Sequence, residues 1–218
     1  NKNDLICNKN ENSTLILPGS GMNQSYAIFN EIKSNYHYGI LDSFSKINNI
    51  FIFIKPNQGV LAWHDNKNKI SMNIIYSHHL INKGSYSLSY LIQSIAISKF
   101  LNNCYNKKIV AGLSQGGLAA FINAIQSNSD LAIIASGYSL LLGEFYYAAP
   151  NQIVDPSGYL LQLFDKSKVI KILNSSKTKY IFTYGLKDHS YYPEAKEKFT
   201  CNFFSTLKNV ECILHQGG

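Results

Sequence analysis

The sequence predicts an α/β fold with a mainly parallel central sheet and helices on both faces. Short apolar runs recur along the chain, separated by longer helix-like or polar stretches; that alternation is the pattern of βαβ units. The runs are continuously apolar, as expected of strands covered on both faces. Of the 218 residues, 45% are hydrophobic and 15% charged, which excludes wholesale disorder. No repeat and no break in composition divides the chain, so residues 1–218 are expected to form a single domain.

The strand runs are Thr14 to Leu17, Ile50 to Ile54, Lys108 to Leu113, Leu131 to Ala135, Tyr180 to Tyr184 and Val210 to Leu214. Most end in Gly, Pro, Asn or Ser, the usual punctuation of turns. Between them lie helical patterns. Ser89 to Leu101 carries Leu91, Ile92, Ile95, Ala96 and Phe100 at spacings of mostly three or four, and Leu118 to Ile125 carries Leu118, Phe121, Ile122 and Ile125. Residues 137–179 exceed a simple crossover and are rich in Leu, Phe and Tyr, so they are expected to form a short lid-like insertion or pocket wall that includes Tyr146, or one extra packed helix. In such a sheet, ligands sit outside the carboxyl ends of the strands.

The net charge is +7, and every one of the 20 basic residues is Lys. Without the Arg fork and without a Lys cluster, nucleic acid is not an expected partner. No apolar run approaches the roughly 18 residues that a bilayer requires, so no transmembrane segment is expected. The chain starts with Asn and shows no signal-peptide pattern, which reads as a processed or trimmed chain and leaves its location open. Cys7, Cys104, Cys201 and Cys212 form no C-x-x-C, and no His/Cys spacing suits zinc, so neither metal nor cofactor is expected. The even count permits disulfides without fixing their pairing. His78-His79 are neighbours in sequence and do not share one face of a regular element, which argues against a metal pair.

One loop carries chemistry. Gly112-Leu113-Ser114-Gln115-Gly116 is a G-x-S-x-G motif, preceded by the strand run Ile109-Val110-Ala111 and followed by the helical pattern from Leu118. That strand–turn–helix context is the one the motif requires. The tight turn lifts the Ser114 hydroxyl above the sheet. Glycines on either side let strand and helix approach, and the helix amino terminus favours developing negative charge.

With this motif in place, the chain resembles the α/β-hydrolase family, closest to its small esterase, thioesterase and dienelactone-hydrolase branch. The resemblance runs from Leu15 to the last residue and implies a serine hydrolase that cleaves an ester or thioester through an acyl-enzyme on Ser114. Leu17-Pro18-Gly19-Ser20-Gly21-Met22 resembles the family's His-Gly-x loop, with Pro18 where His often stands. The resemblance makes the amides of Ser20 and Gln115 the oxyanion donors. It places the acid at Asp188, in Tyr184-Gly185-Leu186-Lys187-Asp188 after the fifth strand run.

For the base, the order Ser, Asp, His leaves His189 and His215. His189 adjoins Asp188 and is poorly placed to bridge it to Ser114, so His215 is the candidate. The family commonly places Gly-Gly-His after the last strand, and Gly217-Gly218 are the final residues here. A histidine directly after them is therefore the alternative. Trp63, in Trp63-His64-Asp65, borders the substrate pocket in the same comparison. An acyltransferase on this scaffold, or a non-catalytic binding protein that keeps the fold, are the rival expectations. The resemblance implies a small-molecule or acylated substrate.

Overall fold

A computed structural model of the chain describes residues 7–19, 36–45, 49–55, 78, 81–82, 84, 86–136, 166–187, 201 and 206–216. Among these, six strands form one sheet: β1 (Ser13–Leu17), β2 (Asn49–Ile52), β3 (Lys108–Leu113), β4 (Leu131–Ala135), β5 (Lys179–Gly185) and β6 (Val210–His215). The helices are α1 (Tyr36–Ser45), α2 (Tyr86–Cys104), α3 (Gln115–Ser127) and α4 (Lys166–Ser175). The sheet order is β2-β1-β3-β4-β5-β6, and every neighbouring pair is parallel. The expected parallel α/β architecture is therefore present. All five residues of β1 are buried, so both faces of the sheet are covered there. Only β6, at the edge, is largely exposed.

The order of the strands selects a place for function. The chain steps from β1 outward to β2, then returns to the other side of β1 to form β3. The order reverses between β1 and β3, and a crevice opens beyond the carboxyl ends of two strands that diverge in this way. Those ends are Leu17 and Leu113, and in register Leu17 pairs with Gly112.

Two glycines are required to close the turn from β3 into α3. A Cβ on Gly112 would overlap the carbonyl of Gly116 and come within 2.9 Å of the Gly117 nitrogen. A Cβ on Gly116 would overlap the Leu17 carbonyl of β1 and come within 2.7 Å of the Pro18 oxygen. α3 thus begins directly against the end of β1. It ends at Asn128, which takes the left-handed conformation (φ 53°, ψ 51°) that Asn tolerates at helix ends.

α2 corrects an expectation. Ile92 and Phe100, two of the apolar residues at helical spacing that an amphipathic pattern would bury, are 59% and 48% exposed. The buried face instead carries Tyr86, Tyr90, Ser94, Ser98, Leu101 and Cys104. The reason is a polar lock to α3. Ser98 Oγ donates to Asn123 Oδ1 at 2.7 Å, and Asn123 Nδ2 donates to Ser94 Oγ at 2.9 Å and to the Ala119 carbonyl at 2.8 Å. Satisfied in this way, polar groups pack in a core at little cost.

The other packing details are brief. The four cysteines form two disulfides, Cys7–Cys104 and Cys201–Cys212. Residues 137–165 of the expected lid, with Tyr146, lie outside the described residues. The described end of that stretch is α4, whose Val169 and Leu173 are fully buried. Lys55, just past β2, is 1% exposed, and burial lowers its pKa to about 7.

Two outcomes follow from this packing. Gly112→Ala and Gly116→Ala each force backbone apart, so each is expected to cost at least about 2–3 kcal/mol, read from denaturant midpoints. The second concerns Lys55. Its unfolded form holds a proton up to 10.5 and its folded form releases it near 7, so the unfolded state binds more protons between those values. Stability from this group therefore rises with pH across that window, and below about 7 the full burial penalty of the ammonium applies. Relative to Lys55→Met, the wild type should gain on the order of a few kcal/mol from about pH 7 towards 10.5. A pH-independent difference in unfolding free energy would contradict this.

Candidate active site

The site is built where β1 and β3 end. Ser114 links β3 to α3 and is half-buried. Its backbone lies at φ 55°, ψ −119°, a left-handed conformation that a residue with a Cβ rarely adopts. Three contacts hold it there. The Ser114 amide donates to the Ala135 carbonyl at the end of β4 (2.8 Å). The Leu118 amide of α3 donates to the Ser114 carbonyl (3.1 Å). The glycines on either side fill the space in which no Cβ fits.

Ser114 stands at the N-cap position of α3, yet its side chain makes no capping hydrogen bond. The first turn of a helix offers amides without intrahelical partners and a partial positive charge. Gln115 is the first residue of that turn, so its amide belongs to this set. It is half-buried and adjoins Ser114.

The opposite wall is the segment Leu17-Pro18-Gly19. Leu17 abuts Gly116 as described above. Tyr90 of α2 donates from its hydroxyl to the Pro18 carbonyl at 2.9 Å, and Lys55 Nζ donates to the Gly19 carbonyl. Burial, with Tyr86 nearby, raises the Tyr90 phenol well above its usual pKa, so it stays a neutral donor. Its ring stacks on Phe53, with centroids 5.2 Å apart. Ser20 follows this segment and lies outside the described residues, as do Trp63, Tyr146, Asp188 and His189.

His215 is the last residue of β6 and is exposed. It is in register with Gly185, and its carbonyl accepts from the Leu186 amide at 2.8 Å. The chain leading to Asp188 is thus tied to His215. Ser114 and His215 share the carboxyl edge of the sheet, with β4 and β5 between their strands. At about 4.8 Å per strand, the two strands stand roughly 14 Å apart. Among the described residues, no cluster of three or more His, Cys, Asp or Glu could hold a metal ion, and no helix is long and apolar enough to cross a membrane.

Sequence reasoning missed Lys55 and Tyr90. The signal for Lys55 was slight: a single cation at the end of the apolar run from Ile50 to Ile54. Tyr90 gave none, because its partner lies 72 residues away in the chain.

No protein-family model and no curated protein sequence matches the chain. Solved structures do match. TT1662 from Thermus thermophilus superposes with a TM-score of 0.59 at 14% identity, over 98% of this chain and 83% of the other. Esterase 2 of Thermogutta terrifontis, phosphonylated by sarin, gives 0.56 at 9% identity, over 100% of this chain and 76% of its own. One of two metagenome-derived lipolytic enzymes gives 0.53 at 13% identity, over 94% and 83%. With its parallel sheet, its switch point and its strained serine turn, the chain has the α/β-hydrolase fold.

Proposed function

We propose that the protein is a serine hydrolase that cleaves an ester or thioester through an acyl-enzyme on Ser114. The observation that carries this reading is the backbone of Ser114. A non-glycine residue is held at φ 55° at the topological switch point, at the head of a helix, between two glycines that cannot be replaced without overlap. A conformation of this kind costs on the order of 1–3 kcal/mol and persists where the surroundings enforce it. A purely structural turn would be easier to build with glycine at that position.

In this reading, Ser114 Oγ attacks the substrate carbonyl and a histidine accepts its proton. The oxyanion that forms is held by the amides of Gln115 and Ser20. The histidine then protonates the leaving alcohol or thiol, and the C–O or C–S bond breaks. Water attacks the acyl-enzyme by the same route and frees Ser114. Asp188 orients the histidine through a hydrogen bond. His215 is the base candidate, supported by the tie between its strand and the chain that leads to Asp188. Trp63 and Tyr146 line the pocket in this reading. The esterase and lipolytic names of the structural neighbours support the same class of chemistry. Two disulfides further support folding in an oxidising compartment.

One observation favours a second reading, a binding protein without turnover. The strand bearing His215 stands three places from the strand that leads into Ser114. An imidazole that stayed there would leave the serine hydroxyl weakly nucleophilic.

A fluorophosphonate probe separates the two. The hydrolase is expected to label at Ser114 and to lose all labelling in Ser114→Ala; an unlabelled wild type leaves the binding protein. Ser114→Gly should also abolish labelling. It should stabilise the chain by about 1 kcal/mol, because glycine removes the left-handed strain, whereas Ser114→Ala should not. Asp188→Asn is expected to lower kcat on p-nitrophenyl butyrate by about 10²- to 10⁴-fold. His215→Gln tests the base directly: a loss as deep as that of Ser114→Ala assigns it, and a rate within a few-fold of wild type removes His215 from the triad.

A further inference from the structure

Three non-glycine residues among those described take a positive φ: Ser114 (55°), Asn128 (53°) and Ser136 (47°). Asn128 ends α3, where that conformation is ordinary. The other two are neighbours across the sheet. β3 and β4 stay in register up to Leu113 and Ala135, so Ser114 and Ser136 each stand one residue past a paired end. The Ser114 amide donates to the Ala135 carbonyl (2.8 Å), and the Ser136 amide donates to the Thr183 carbonyl of β5 (3.0 Å). Adjacent strands run about 4.8 Å apart, so the two serines are separated by roughly the width of one small substrate group. Ser136 is half-buried, and its hydroxyl makes no hydrogen bond among the described residues. Glycine would hold this backbone more easily. A serine kept there, with a hydroxyl that the fold does not use, points to a ligand.

We propose that Ser136 is a substrate contact on the leaving-group side of Ser114, where it favours oxygen esters over thioesters. The strand order gives the side. β3, which leads into Ser114, has β1 on one flank and β4 on the other. The oxyanion of the proposed reaction turns to the first turn of α3, which is packed against the end of β1. His215 and the chain that leaves β5 lie on the β4 flank. The leaving group takes its proton from that flank, so it emerges over the end of β4, where Ser136 stands. As the C–O bond breaks, negative charge builds on the leaving oxygen, and a hydroxyl that donates to it stabilises the transition state more than the ground state. Ser136 gives up no proton; the histidine supplies it while Ser136 holds the oxygen. Sulfur is a weak acceptor, so a thioester gains little from the same hydroxyl.

The inference rests on the reading of Ser114 as nucleophile. The experiment measures kcat/KM of wild type, Ser114→Ala, Ser136→Ala and Ser136→Gly on ethyl butyrate and on S-ethyl thiobutyrate, with thermal melts to establish folding. In Ser136→Ala, kcat/KM on the ester is expected to fall about 10-fold, while that on the thioester stays within about twofold of wild type. Ser136→Gly should show the same change in preference and melt at a higher temperature than Ser136→Ala, because glycine relieves the positive φ.

A loss of merely structural origin would lower both substrates alike. Equal losses on ester and thioester, or no loss on either, therefore overturn this inference alone. If Ser136→Ala does not fold, Ser136→Gly decides by the same ratio. A wild type without Ser114-dependent hydrolysis of either substrate overturns the proposed function, and this inference with it.

Discussion

The Leu17 carbonyl occupies the space where a side chain at position 116 would have to be. That close approach of backbone to backbone is what the rest of the site depends on. It brings the first turn of α3 against the end of β1, so the loop after β1 and the turn after β3 become two walls of one crevice. It requires glycine at 116, and the folded-back path of the chain requires glycine at 112 for the same reason. With both in place, Ser114 is left at the apex in a conformation that only its surroundings enforce. The reactivity proposed for Ser114 is thus a consequence of packing before it is a consequence of any neighbouring base.

Polar groups buried behind this crevice extend the same logic. Asn123 of α3 joins two serines of α2, which fixes the rotation of α2 about its axis. That rotation points Tyr90 at the Pro18 carbonyl and turns Ile92 and Phe100 outward. An entirely apolar contact between the helices would tolerate sliding, whereas matched donors and acceptors select one register. The hydroxyl that meets the Pro18 oxygen is therefore directed in part by an asparagine in the interior of α3.

Much of the fold was legible because strand signals are local. The runs Lys108 to Leu113 and Leu131 to Ala135 coincide with β3 and β4, and the other strands differ only at their ends. The turn that carries Ser114 and Gln115 was legible for the same reason: strand, glycine turn and helix follow one another within a dozen residues. What was not legible depends on tertiary pairing. The apolar positions of α2 pointed to one face, but hydrogen bonds to Asn123 selected another. The burial of Lys55 left no local sign beyond its place at the end of an apolar run, because its partner on Gly19 lies 36 residues away. His215 sits at the end of the last strand, as the sequence suggested, but its separation from Ser114 follows from the strand order. No local pattern encodes that order.

The Cys7–Cys104 bridge closes a covalent ring of 97 residues' span that contains β1, the loop after it, Lys55 and Tyr90. Ser114 and α3 lie outside this ring. One wall of the crevice is thus confined by a crosslink, while the other is held by hydrogen bonds and packing. A long closed ring restricts the unfolded ensemble strongly. Even when unfolded, the chain keeps β1, Lys55 and Tyr90 within one closed loop, so folding has less disorder to overcome on this wall than on the serine side.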